Sequence, residues 1–196
     1  IKMKTDIILA GVGGHGILSI AAAIGLAAVK SNLYIKQSEV HGMSQRGGDV
    51  QSHLRISDKP IASDLIPKGR TDLILSVEPM ESLRYLPFLS KDGWLVTNNQ
   101  PYINIPNYPS IDELLKHIQS IRNHILIDAD AIAKQAGSTR SSNIVMLGAA
   151  SPFIDIPFNM LEEGIKELFG RKGEDIVQAN LKALHAGREF SEKNSQ

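Results

Sequence analysis

Apolar residues near the start of the chain come in short unbroken runs, the pattern of strands buried on both faces. "TDIILAG" is such a run and ends on Gly11; "GILSIAAAIGLAAV" follows, apolar on nearly all sides, and predicts a buried helix. "NLYIKQ" reads as a second strand, "VQSHLRI" as a half-exposed strand by its imperfect alternation, and "TDLILSV" and "GWLVTNN" as further strands. "EPMESLRYLPFL", with Pro79 in its first turn, predicts a short helix. "YINIPNYPS" is proline-punctuated loop, "IDELLKHIQS" a helix, "HILID" a strand, and "ADAIAKQAG" a helix closed at Gly137. After Ser141 the strand signals stop. "SSNIVMLGAASPF", "NMLEEGIKELFG" and "GEDIVQANLKALHAGREF" are three helical stretches; in the last, Ile176, Asn180 and Leu184 share a stripe flanked by Val177 and Leu181.

Strands alternating with helices, followed by helices alone, predict an α/β fold: Rossmann-like, with a mainly parallel sheet, flanking helices and a C-terminal helical cap. Residues 1–190 are expected to form a single domain, and "SEKNSQ", 191–196, a frayed polar tail. The stretch from Ile7 to Val29 carries no acid, lysine or arginine and is long enough to span a bilayer, but the glycines at 11, 13, 14 and 16 divide it into a strand, a turn and a helix.

Composition narrows the function classes. The 21 basic and 21 acidic residues balance, and no basic stripe stands out, so nucleic acid is not an expected partner. Cysteine is absent, which excludes disulfides, thiolate nucleophiles and any iron–sulfur cluster held by this chain's own thiolates. The histidines His41, His53 and His124 lack metal-ligand spacing, and no metal is expected. There is no G-x-S-x-G elbow. No membrane association is expected, and the lack of a recognisable signal peptide favours the cytoplasm.

Two segments hold the candidate chemistry. "GVGGHG" places Gly11, Gly13 and Gly16 in G-x-G-x-x-G spacing between a strand and a helix, with Gly14 and His15 inside it. Such a turn lets a ligand approach the backbone and aims helix N–H groups at an anion. The acid that normally accompanies a dinucleotide site about 20 residues on is missing: Lys36 lies there and Glu39 comes late. The turn therefore leaves three readings open: a dinucleotide, another anion such as a phosphate or carboxylate, or packing alone.

The second segment, "SEVHGMSQRGGDV", is polar and jointed by Gly42, Gly47 and Gly48. Glu39, His41, Gln45 and Arg46 bring an acid, an imidazole that titrates near neutrality, an amide and a guanidinium that can bind a carboxylate or phosphate at two points. It is expected to lie on the same sheet edge as the glycine turn, where open α/β sheets place ligands. Elsewhere, Glu78, Asp128 and Asp130 suit helix starts, as do Ser141, Ser142 and Asn143, while Asn98 and Asn99 suit a turn and Trp94 the core.

"GVGGHGIL", "SEVHGMSQRGGDVQSHLRI" and "TDLILSVEPMESLRYLPFL" together resemble the gamma-type subunits of 2-oxoacid:ferredoxin oxidoreductases, most nearly the small chains of the indolepyruvate-acting members. The resemblance runs to "NIVMLGA" and "ANLKAL". It implies an accessory subunit with no cofactor bound by this chain alone. Its large partner would hold thiamine diphosphate and the iron–sulfur clusters, and the complex would pass electrons to ferredoxin and make an acyl-CoA from an aryl pyruvate. It also implies that the chain alone is inactive. From the segment's position, His41, Arg46, Glu39 and Gln45 are expected to line the partner-facing edge, towards substrate or CoA; a solvated loop without a role, and a pure interface in which Arg46 pairs an acid on the partner, are the other readings. The glycine turn would meet a CoA or substrate phosphate. His15 departs from the family, whose members commonly have Gln there. A stand-alone dinucleotide-binding oxidoreductase and a non-catalytic assembly module are the alternatives. The charge-free first helix suits a permanent apolar interface and would let the isolated chain self-associate.

Overall fold

The structure, a computed structural model, describes residues 3–41 and 47–195, and His41 by its backbone only. Six strands form one sheet: β1 (Lys4–Val12), β2 (Tyr34–His41), β3 (Asp49–Ser57), β4 (Thr71–Ser76), β5 (Leu89–Asn98) and β6 (His124–Ile127), in the order β2-β3-β1-β4-β5-β6. Among the described residues seven α-helices flank them: α1 (Ile17–Lys30), α2 (Pro79–Arg84), α3 (Ile111–Gln119), α4 (Ala129–Gln135), α5 (Ser142–Ala150), α6 (Phe158–Phe169) and α7 (Glu174–Asn194). Among the described residues, no helix is long and apolar enough to cross a membrane.

The sheet is mixed but mainly parallel. β1, β4, β5 and β6 pair in parallel, while β3 lies between β1 and β2 and runs antiparallel to both. Successive residues of β1 face opposite layers, as a pleated strand requires. Ile7 and Leu9 belong to the core layer that includes residues of α1, α5, α6 and α7; Ile8 and Ala10 belong to the layer that contains Tyr85 and Ile118. All four are essentially buried, and each large aliphatic side chain so removed from water contributes about 1.5–3 kcal/mol.

Three expectations need correction. The second strand does not stop at Gln37. It continues through Ser38, Glu39 and Val40 to His41 and pairs with β3 as a hairpin, Glu39 opposite Ser52 and His41 opposite Val50. A ladder is made by backbone groups, and β2 is an edge strand, where polar side chains are tolerated and guard against mispairing. β3 is less exposed than its alternation implies, because residues 58–69 fold over its outer face: the Ile66 amide donates to His53 Nδ1 at 3.0 Å, and Arg55 donates to the Ser63 and Leu65 carbonyls. The tail expected to fray from Ser191 is helical as far as Asn194. Ser191 is buried, and Arg188–Glu192 and Lys193–Glu189 pairs brace the final turns.

α1 is buried along Ile17, Ile20, Ala21, Ala23, Ile24, Ala27 and Ala28, but Leu18 and Val29 on its outer side are exposed. Trp94 is half-buried at the edge of the main core and stacks on Phe153, with ring centroids 4.1 Å apart. α5 and α7 lie unusually close. A Cβ on Gly187 would stand 1.9 Å from the Val145 carbonyl oxygen, and one on Gly148 2.0 Å from that of Leu184. The two glycines let the backbones approach to a distance no side chain permits.

Burial holds the His53 imidazole below its ordinary pKa, and the nearby Arg55 adds to this against the opposing charge of Asp64. The unfolded chain therefore takes up a proton on this ring before the native one does, so the ring's contribution is complete above about pH 6.5 and is lost as pH falls below that. His53→Gln, which keeps a side-chain acceptor, is expected to reduce the difference between urea midpoints at pH 7.5 and pH 5.5.

Candidate functional site

The first turn leaves β1 at Gly11–Val12 and enters α1 through Gly16. Gly16 sits at φ 79°, in the left-handed region that favours glycine. A Cβ there would also lie 2.5 Å from the Asn143 amide nitrogen, which instead donates to the Gly16 carbonyl at 3.1 Å. The first turn of α5 is thus stitched to the start of α1. Gly13 is engaged on both sides: its amide donates to the Gly48 carbonyl at 2.9 Å, and its carbonyl accepts from the Gly47 amide at 3.3 Å. Gly47 and Gly48, the described residues of the hairpin tip between β2 and β3, therefore lie against the glycine turn, so the two candidate segments meet on one sheet edge. The Gly14 amide has no acceptor among the described residues.

This arrangement differs from a dinucleotide turn. In that fold the strand beside β1 ends in the ribose-binding acid. Here the antiparallel β3 occupies that place, β2 is displaced outwards by one strand, and the hairpin tip occupies the Gly13 backbone, where a pyrophosphate would approach.

Of the polar segment's candidates, Glu39 is half-buried on β2 and accepts from the Gln37 side-chain amide at 3.1 Å, and His41 is the last residue of that strand. Gly42, Gln45 and Arg46 lie outside the described residues.

Segment 99–110, read from sequence only as a proline-broken loop, crosses this edge as a strap. The Tyr102 ring meets His15 edge-on at 4.7 Å, and the Asn104 side-chain amide donates to the Gly47 carbonyl. Beneath the strap is a cavity of about 130 Å³ walled by Pro101, Tyr102, His15, Asn98, Asn143 and Met146. It adjoins an open trough of about 560 Å³ bordered by Gly14, Ser19, Ser142, Asn180, Arg140 and Lys172. Arg140 makes no hydrogen bond or ion pair among the described residues, while Lys172 lies over the Phe169 ring at 5.2 Å.

Helix-start roles are divided. Asp128 caps α4, its carboxylate accepting from the Ala131 amide at 2.9 Å. Asp130, expected to do the same, instead accepts from the Asn98 amide at 3.0 Å, while Asn98 Oδ1 accepts from the Ala129 amide. Asn98 is thereby fixed between β5 and α4, and Asp130 is turned towards the cavity. Ser141 occupies the α5 cap position without a capping hydrogen bond from its side chain. Asn99 accepts from Gln100 Nε2.

Behind the edge lies a cluster that sequence reading missed. Tyr85 donates to both carboxylate oxygens of Asp49, the first residue of β3, at 3.0 and 2.9 Å. Glu81 on α2 holds Arg84 at 2.7 Å. Burial drives the Glu81 carboxyl above its usual range, Arg84 opposes this, and Asp49 adds to it. Burial also raises the Tyr85 phenol, reinforced by the Asp49 charge. These residues pin the start of β3, next to the hairpin tip, to α2.

Residues 6–190 match the family model described as pyruvate ferredoxin/flavodoxin oxidoreductase. The chain belongs to that family. Within the pyruvate ferredoxin/flavodoxin oxidoreductases it is similar to indolepyruvate oxidoreductase subunit IorB of Archaeoglobus fulgidus, 36% identical over 194 residues and 94% of both chains. It is also similar to 2-oxoglutarate synthase subunit KorC of Methanothermobacter thermautotrophicus, 26% identical over 199 residues and the full length of both. In fold it is similar to part of a 2-oxoglutarate:ferredoxin oxidoreductase from Magnetococcus marinus, solved with 2-oxoglutarate, coenzyme A and succinyl-CoA bound. The TM-score is 0.77 at 23% identity, and the match covers 98% of this chain and 32% of that longer one.

Proposed function

We propose that the chain is the accessory subunit of a thiamine-diphosphate-dependent 2-oxoacid:ferredoxin oxidoreductase that acts on aryl pyruvates, indolepyruvate foremost. The observation that carries this reading is the likeness to the indolepyruvate subunit, 36% over 94% of both chains, against 26% for the 2-oxoglutarate subunit.

The residues of this chain do not fit the redox groups. It has no cysteine, so no thiolate of its own can hold an iron–sulfur cluster. In this reading the clusters and thiamine diphosphate belong to a larger partner, and ferredoxin is met through the complex. The chain's surface does suit the phosphate-bearing end of CoA, the group that accepts the acyl product. The exposed Gly14 amide and the Arg140 and Lys172 cations border one trough, which the Asp130 carboxylate, held by the Asn98 amide, also borders; amide donors together with guanidinium and ammonium groups are what phosphates select. The chain's work would be to bind and orient that end and to shape the partner's site, with Asn143 keeping the glycine turn in place.

Arg46, which precedes Gly47 in the sequence, is the group best suited to anchor a carboxylate or phosphate at the partner-facing edge. The test is co-expression with the natural partner and assay of several 2-oxoacids with CoA and ferredoxin. The expected result is reduction of ferredoxin dependent on indolepyruvate and CoA, with no turnover by the isolated chain. Arg46→Ala is expected to lower kcat/KM by about tenfold or more, the loss of one charge-assisted anchor. Unchanged turnover together with unchanged assembly would remove Arg46 from the edge, and oxidation of indolepyruvate by the lone chain would overturn the reading.

A further inference from the structure

Glu78 is a carboxylate buried to 1% exposure with no cation against it among the described residues. Three donors satisfy it. Oε2 accepts from the Glu81 amide at 2.8 Å, which caps α2. Oε1 accepts from the Tyr102 amide at 3.3 Å and from the Tyr108 hydroxyl. Burial and this last bond raise the Tyr108 phenol, which keeps it a donor at neutral pH.

This set of partners explains why the residue is an acid. Both oxygens face a backbone N–H, which can only donate. A carboxylate accepts on both sides; a glutamine must turn its NH2 towards one of the two amides and leave it unpaired. The cap of α2 and the strap are therefore held by one group that no neutral isostere reproduces.

The strap leaves Glu78 at Tyr102 and returns to it at Tyr108. Between those anchors its Tyr102 ring rests on His15 of the glycine turn, and Asn104 holds Gly47 of the hairpin tip, which in turn bonds Gly13. A buried side chain, the strap, the hairpin tip and the glycine turn thus form one connected series. Tyr102 and Pro101 wall the cavity that adjoins the Arg140–Lys172 trough and shares His15, Asp130, Ser142 and Asn143 with it.

We propose that Glu78 is a positioning residue that fixes strap residues 101–108 over the glycine edge, and that the strap sets how well this edge accepts the phosphate-bearing cosubstrate. The second half rests on the reading given under Proposed function; the first does not.

The experiment compares wild type, Glu78→Gln and Tyr108→Phe in the complex assembled with the partner subunit. It measures amide hydrogen exchange over 101–108 and the KM values for CoA and for the 2-oxoacid. Glu78→Gln is expected to exchange the Tyr102 amide about tenfold faster. If the strap is then in place only a tenth to a fifth of the time, the KM for CoA rises about five- to tenfold. Little change is expected in kcat or in the KM for the 2-oxoacid. Tyr108→Phe, which leaves both amides paired, is expected to stay within about twofold of wild type in the KM for CoA. A general loss of folding would lower the apparent kcat, through a smaller active fraction, and leave both KM values where they were.

A Tyr102 amide in Glu78→Gln that exchanges at the wild-type rate overturns the positioning role. Faster exchange with an unchanged KM for CoA, or with both KM values rising alike, overturns the link to the cosubstrate. If the wild-type complex uses no 2-oxoacid, the functional reading fails, and the exchange measurement alone decides whether Glu78 holds the strap.

Discussion

Gly187→Ala is expected to lower the stability of the chain by about 3 kcal/mol or more, at or beyond the upper end of ordinary overpacking. The added methyl would lie 1.9 Å from a carbonyl oxygen and 2.8 Å from the carbonyl carbon of Val145. A flexible side chain could yield, but backbone in the middle of a helix cannot, so α5 and α7 must separate. Such separation also opens the contacts of the buried residues between them, Ala183, Leu184 and Ile144 among them. Urea denaturation checks the prediction. Gly170→Ala is the control: its φ of −54° and ψ of −38° are helical, nothing lies within 4 Å of the new Cβ, and its midpoint should hold or rise slightly. The site should feel the change too, because α5 carries Asn143 to the Gly16 carbonyl.

The second large effect is at the opposite end of the sheet. Asp6 is 1% exposed and is held by the Arg55 fork, Nε to Oδ1 at 2.8 Å and Nη2 to Oδ2 at 3.0 Å. Arg55→Ala leaves that carboxylate buried with Lys4 as its remaining cation, at 2.6 Å and partly exposed. Removing one partner of a buried pair costs about 3–5 kcal/mol; with Lys4 present the lower end, about 3 kcal/mol, is expected. The same substitution frees the Ser63 and Leu65 carbonyls, so the flap of residues 58–69 should loosen and exchange its amides faster. Adding Asp6→Leu to Arg55→Met should recover most of the lost midpoint, because an apolar pair of similar volume carries no unpaired charge. Recovery of none of it would mean that the flap, and not the charge, is what Arg55 supports.

Much of this architecture was legible in the sequence because its signals are local. The run ending at Gly11, the glycine turn and the apolar helix each declare themselves within a few residues. What stayed hidden depends on pairing between distant positions. Nothing in Ser38–His41 announces a strand; the pairing with Asp49–Ser57 makes it one. Glu78 was read as a helix-start acid, and it is one, but its second oxygen serves Tyr102 and Tyr108, which lie in a segment with no periodicity to interpret. Asp130 carried the same local signature as Asp128 and took a different role, because Asn98 arrives beside it from another strand. Of the candidate chemistry, sequence reading singled out the glycine turn and the polar segment after Gln37, though not as a hairpin. The strap above them and the Asp49–Tyr85 brace behind them were not found.

The hydrogen bond from Asn143 to Gly16 joins positions 127 residues apart, and the helix that presents Asn143 is itself backed by Glu174–Asn194. During synthesis the glycine turn therefore leaves the ribosome long before the residue that steadies it. A nascent chain cannot offer a finished edge to another subunit until α7 has emerged and docked, so maturation of this face is placed after translation of nearly the whole domain, and premature engagement by a partner finds an incomplete surface.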